Sequence, residues 1–480
     1  MAPKKKVALD TEKRLPEHLN KRPEMTWHDQ LITLLHLGAA FEHALMVQYL
    51  YAAYSLGGDQ IPVKHRKMVK QWQESFLAVA REEMGHLLTV QNVLTFLGAG
   101  FSLARDRFPW AIEWFDIEPL SFGSLACYVN AEMPELQKFR EREEIEALAK
   151  KHLRKDAKPV HPVAEVYREI MTLLKDTERI PESALHPETY LSQASWDEWG
   201  RGYKPDPRPL DPEGNLVKVS REVDRAAQFD SHVLVFQVAT RTDALAAIEA
   251  VSLQGEGTDL PDNDKPGGGE WSHFRRFIKI YREFKRTNDG SWNPAAPAAT
   301  NPNTNPDSLA PDRESYISNE QTRNWAILFN VRYRMLLTYL MHTYQLAPVT
   351  RPDLPNVRAM LMHRVFGEMY QLKTLSEKLF QMPLRDIDAK PETPAGQRRT
   401  AGPPFEMPWN LRIPVNDVDC WCLHRDILSA SRNACDAIMK THLTPHQKAY
   451  ITTLRSLDAQ AETWIEKILA GMNSTARYGA

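Results

Sequence analysis

Apolar side chains recur every three or four positions from residue 27 to 97, from about 240 to 285, and from about 318 to 470, the period of amphipathic helices. Strand-like alternation is scarce. Within the first block, "GGDQIP" (57–62) breaks two helices into an antiparallel hairpin, the second helix running from about 63 to 97. In that second helix Trp72, Phe76, Val79, Glu83, His86, Val90 and Leu94 are spaced 4, 3, 4, 3, 4 and 4, so they share one face. A carboxylate and an imidazole therefore interrupt a buried stripe, which costs several kcal/mol (~2–7 for a polar group left unpaired) unless something pairs them. Glu82 lies about 100° round the helix and is expected on a solvated face. The first helix carries the same signature: Leu35, Gly38, Glu42, Leu45 and Tyr49 are spaced 3, 4, 3 and 4. Tyr49 reads as a core tyrosine, and His43 lies off the stripe.

Further along, Glu270, His273, Phe277, Ile280 and Phe284 are spaced 3, 4, 3 and 4, giving a second Glu-x-x-His on an apolar face. It follows "TDALAAIEAVSLQGEG", a helix ending near Glu256. A lone Glu-x-x-His is served equally well by a buried arginine or backbone partner. The order Glu42, Glu83-x-x-His86, Glu256, Glu270-x-x-His273 on four helices is different, because it is the ligand set of a carboxylate-bridged di-metal site in a ferritin-like bundle. Four carboxylates nearly neutralise two divalent ions, and each histidine gives one metal a neutral nitrogen. Glu249, seven residues before Glu256 on the same face, lies about 10 Å away along the axis, so Glu256 matches the level of Glu270 better. Glu165 falls beside the stripe Val163, Val166, Ile170 and Leu173 and reads as a solvated or capping carboxylate. The expected metal ligands are Glu42, Glu83, His86, Glu256, Glu270 and His273, the four carboxylates acting in catalysis through the metals.

The hydrophobic pattern also sets an organisation. Residues 1–25 read as a flexible tail. Residues 26–287 form the metal-binding bundle, with a crossover insertion over about 99–238. Residues 288–315 form a Pro-rich connector whose composition builds no core. Residues 316–480 form a helical region packed on the bundle, in which His342 and His363 lack a carboxylate three residues earlier and so predict no second metal site. Residues 177–220 read as a long loop. The fold class is all-α: a ferritin-like four-helix bundle with a long crossover and an additional C-terminal helical region.

Composition narrows the function. A net charge of −2 gives no reason to expect nucleic acid or an anionic membrane as partner. With no run of about 18 apolar residues, no membrane span is expected. Four cysteines in 480 residues make no disulfide framework, and Cys420-x-Cys422 lacks a second ligand pair at zinc spacing, so a reducing, cytoplasmic setting is expected.

The pieces "FEHALMVQYLYAAYSL", "AREEMGHLLTVQNVLTFLGA", "IEPLSFGSLACYVNAEMPE", "VAEVYREI", "QGEGTD" and "EWSHFRRFIKI" resemble the ferritin-like di-iron domains named after iminophenylpyruvate dimer synthase, found in violacein and rebeccamycin biosynthesis. The resemblance spans roughly residues 27–285. It implies two Fe(II)/Fe(III) ions per chain, manganese being admissible in one position, with dioxygen as cosubstrate. It further implies a small amino-acid-derived substrate and an external reductant, with oxidative coupling of imine or keto-acid species as one outcome. The chain departs from the family in its longer crossover and in Leu253, where many members carry Glu. The competing function is iron handling: a ferritin-like protein that oxidises iron without an organic substrate.

Overall fold

The computed structural model describes residues 25–107, 116–134, 139–153, 163–199, 233–256, 272–288, 290–305, 315–346, 357–386 and 398–476. The helices are α1 (Trp27–Ser55), α2 (Val63–Phe96), α3 (Phe122–Ala131), α4 (Arg142–His152), α5 (Val163–Lys175), α6 (Trp196–Trp199), α7 (Arg241–Glu256), α8 (His273–Thr287), α9 (Glu320–Gln345), α10 (Val357–Leu379), α11 (Asp417–Met439) and α12 (Pro445–Ala476). Among the described residues there is no β-strand, only isolated bridges such as Leu56 with Ala295. The all-α reading of the sequence holds.

Thr26 starts α1 by accepting a hydrogen bond from the Asp29 N–H, a side-chain cap for an otherwise unsatisfied donor. Gly57 and Gly58, at φ of 120° and 110°, turn the chain into α2. The hairpin is antiparallel: Gln73 donates to Ala53 O at 2.9 Å near one end, while Glu42 meets His86 further along. Helix α8 crosses α2 in the same opposed sense, since Trp72 Nε1 donates to Glu283 at 2.8 Å and His273 lies beside Glu83. Helix α5 packs on α1 and α7, and α3 packs on α4 and α8.

The return from the crossover is extended. Residues 233–238 lie along α2, with Thr89 Oγ1 donating to Leu234 O at 3.0 Å and Asn92 Nδ2 to Phe236 O at 2.7 Å. Gly85 permits this approach, because a Cβ there would stand 2.7 Å from Leu234 O and 2.9 Å from Leu234 N, both backbone atoms. The expected loop at 177–220 is described only to residue 199, where it holds two 3-10 turns and α6. The Pro-rich stretch differs from expectation: over 290–305 it runs extended, yet Trp292, Ala295, Ala298 and Ala299 are buried in the core. Small alanines let the chain lie flat between elements where bulkier side chains would hold it off.

Helix α1 is, among the described residues, the one helix long and apolar enough by length and composition to cross a membrane. Here it is the central core helix, buried on two sides. Glu42 faces the bundle, while His43 hydrogen-bonds Leu103 O at 2.9 Å and Tyr333 of α9 at 2.5 Å. Tyr344 of α9 reaches Asn92 of α2 at 3.2 Å.

Helix α9 is also the hub of the C-terminal helices. Its Arg332 donates to both oxygens of Glu368 on α10 at 2.6 Å and to Asp458 on α12 at 2.5 Å. His342, which has no carboxylate three residues earlier, finds one on another helix: its Nε2 lies 2.8 Å from Asp417 and its Nδ1 2.9 Å from His424. Spacing within a single helix cannot reveal a partner on α11.

Two substitutions test this packing. Gly85→Ala should destabilise the protein by about 1–3 kcal/mol through overpacking against the 233–238 backbone, read by urea denaturation. Arg332→Ala should cost about 3–5 kcal/mol in the same assay, because it leaves buried carboxylates uncompensated.

Candidate metal centre

Glu83 and His86 leave α2 one turn apart, and Glu42 comes from α1. His273 is the first residue of α8, where Ser272 caps the helix by accepting from Arg275 N. Glu132 terminates α3 as its C-cap. All five side chains are buried. They line a cavity of about 30 Å³ together with Tyr167, Val251 and Gly255.

The geometry centres on Glu83. One of its oxygens, Oε2, accepts from His86 Nδ1 at 3.0 Å, and the other, Oε1, lies 3.2 Å from His273 Nδ1. Glu42 Oε2 lies 3.3 Å from His86 Nδ1, and Glu132 Oε1 lies 3.6 Å from His273 Nδ1. Two triads result, Glu42–Glu83–His86 and Glu83–Glu132–His273, each with ligand atoms close enough to hold one ion. The imidazoles face each other with centroids 5.4 Å apart. A carboxylate common to both triads, with one histidine in each, is the donor arrangement of a bridged metal pair.

Each group is held by neighbours. Tyr167 of α5 donates to Glu42, and Tyr49 donates to Glu132 at 2.6 Å. His86 Nε2 donates to Gln254 Oε1 of α7 at 2.8 Å. His273 Nε2 donates to Glu82 Oε2 at 3.0 Å, and Arg276 Nη1 donates to both oxygens of Glu82 at 3.0 Å. Glu82, expected on a solvated face, is fully buried, because α8 brings an arginine and a histidine to that side of α2.

Electrostatics reflect the crowding. Burial, and then the charge of Glu83, push the Glu42 carboxyl up to about 7. Burial alone would lower His86, but its hydrogen bonds to Glu42 and Glu83 outweigh this and raise it to about 10. Burial would raise Glu83, and the His273 charge against it holds it below its ordinary value instead. His273 is raised well above the usual imidazole range, Glu83 overcoming the burial that would lower it. Its Nδ1 is buried without a hydrogen-bond partner, although two carboxylates face it. A nitrogen left so fits a metal ligand better than a hydrogen-bond donor.

Of the expected ligands, the structure brings together Glu42, Glu83, His86 and His273. Glu270 and the Glu256 side chain lie outside the described residues. Glu249 is exposed, and Glu165 is half-buried and outside the cavity lining. Tyr49 is buried as expected of a core residue, though its hydroxyl is spent on Glu132. Glu132 itself was not among the expected ligands. Its signal is nonetheless the one used elsewhere, since Leu125, Tyr128 and Glu132 are spaced 3 and 4.

The sequence model of the Ferritin-like family matches residues 35–282. The chain is 27% identical over 430 residues to dichlorochromopyrrolate synthase from Lentzea aerocolonigenes, an alignment covering 82% of this chain and 37% of that protein. The chain thus spans little more than a third of that relative's length. A ferritin-like protein of known structure from Caulobacter vibrioides is similar over 72% of this chain and 96% of its own, at 15% identity and a TM-score of 0.39.

The metal-free protein should lose stability as pH rises. The folded state holds protons at Glu42 and His86 more tightly than the unfolded chain does. The Glu42 contribution is therefore full below 4.5 and lost towards about 7; that of His86 is full below 6.5 and lost towards about 10. Glu83 acts oppositely, its contribution falling away below the usual carboxylate range. Thermal unfolding with a chelator should give a lower Tm at pH 9 than at pH 6, and Glu42→Gln should flatten the acidic part of that slope.

Proposed function

The chain belongs to the ferritin-like family, and from that premise we propose that it is a non-haem di-iron oxidoreductase acting on a small amino-acid-derived molecule in specialised metabolism. The observation that carries this reading is Glu83, whose two oxygens face one histidine each inside a buried cavity. Glu42, Glu83 and His86 would hold one ion, and Glu83, Glu132 and His273 the other. Glu270, three residues before His273, is our candidate for a further carboxylate, and Glu256 for another. Two iron ions bound there would supply the reduction of dioxygen that drives oxidation of the substrate. Manganese in one position suits the same oxygen and nitrogen donors.

The residues of the chain perform the supporting work. Buried apolar walls such as Leu45 and Val251 limit access of water to the cavity. Tyr167 and Tyr49 hold Glu42 and Glu132 by their hydroxyls, orienting the carboxylate oxygens left over. Gln254 and Glu82 fix the outer nitrogens of the two imidazoles, so that each Nδ1 faces the cavity. Protons held at His86 and His273 in the metal-free protein would leave when a cation arrives.

The division of the chain follows from this reading. Residues 26–287 build the centre, 288–315 connect, and 316–480 form a layer on the bundle that shapes the substrate site. The similarity to a dichlorochromopyrrolate synthase supports specialised metabolism as the setting, and we place the protein in the cytoplasm, with a small molecule and an external reductant as partners.

Protein produced with added iron should contain about two irons per chain, as a bridged pair requires. Glu83→Ala should lose most of both, while His86→Ala should keep about one. Oxygen consumption by the iron-loaded protein should then rise with the right amino acid or keto acid. Iron uptake with oxygen consumption indifferent to every such candidate would favour iron handling instead. Absence of iron from a folded protein would end the metal reading. Uptake of Fe(II) should also acidify a weakly buffered solution, read with an indicator dye.

A further inference from the structure

Among the described residues, each triad joins Glu83 to one histidine and one further carboxylate, and the two differ in what lies behind the histidine. Each imidazole presents Nδ1 to the cavity and Nε2 to an oxygen outside it. Behind His86 that oxygen belongs to Gln254, a neutral amide, at 2.8 Å. Behind His273 it belongs to Glu82, a carboxylate, at 3.0 Å. We propose that Glu82 is a positioning residue that makes the two metal positions unequal, the His273 position being the tighter and the first filled. This rests on the metal-pair reading above.

The chemistry is that of the outer hydrogen bond. A metal ion draws electron density from the ring through Nδ1. A carboxylate accepting the proton on Nε2 restores more of that density than an amide oxygen does, so His273 is the stronger donor. Glu82 is fully buried, and Arg276, buried beside it, donates to both of its oxygens, the pairing a buried carboxylate requires. Arg276 lies three residues after His273 on α8, so one helix turn supplies both the ligand and the guanidinium that steadies its partner. On the other side Gln254 comes from α7 and brings no charge.

The test is anaerobic titration of the full chain with Co(II), following its ligand-field absorption against a competing chelator. Wild-type protein should bind in two steps. His86→Ala should retain the tighter step, and His273→Ala only the weaker. Removing the charge pair together, Glu82→Gln with Arg276→Met, avoids a stranded guanidinium. It should weaken the tighter step by roughly 10–100-fold, leaving the weaker one in place. Gln254→Glu should strengthen the weaker step. If the double variant fails to fold, the alanine pair and Gln254→Glu decide the matter. Two equal steps in wild type, or loss of the tighter step in His86→Ala, would overturn the proposal while leaving a metal pair intact. No cobalt uptake by folded wild-type protein would overturn both readings together.

Discussion

Three carboxylates and two imidazoles share one cavity with almost no exposed surface among them, and the architecture around them is arranged to make that tolerable. A buried ion costs several kcal/mol even after relaxation, unless partners surround it (idealised transfer costs are ~20). Glu83 meets this cost by touching both histidines at once. No single helix could supply such a set. Helices α1, α2, α3 and α8 each give one or two members, and α5 and α7 add Tyr167 and Gln254 behind them. The long crossover is what lets α3 and α5 reach the centre while the α1–α2 hairpin and α8 form its frame.

Much of this was legible in the sequence because polar residues interrupted apolar stripes. The stripes mark Glu42, Glu83, His86 and His273 as inward-facing groups, and α2 ends within one residue of its expected bound. Glu132 and Gln254 carry the same mark: Ala244, Ala247, Val251 and Gln254 are spaced 3, 4 and 3. Neither is an expected ligand: Glu132 falls within the expected crossover, and glutamine is not a usual metal ligand. Tyr167 carries no mark at all, since a tyrosine on a core face is ordinary until its hydroxyl meets a carboxylate. Glu82 was misplaced because periodicity assigns one buried face per helix, whereas α2 is enclosed by α1, α7, α8 and the extended 233–238 segment.

The same limit explains the C-terminal helices. His342 with Asp417, and Arg332 with Glu368 and Asp458, are contacts between separate helices, and no spacing rule within one helix encodes them. What the sequence does show there is apolar periodicity, which predicts that helices form but not which faces meet.

Helix α1 is enclosed in part by elements that arrive late. Helix α2 follows it directly and α5 begins at residue 163, but α8, whose Phe277 meets Tyr49, does not begin until residue 273, and α9, whose Tyr333 meets His43, not until residue 320. A ribosome makes these elements in that order, so α1 emerges with α2 to cover one side while the faces that α8 and α9 will meet are still bare. Those faces stay open until the residues that cover them have been made. The metal centre therefore cannot close before His273 has been made, and until then an open apolar face is the kind of surface through which incomplete chains aggregate.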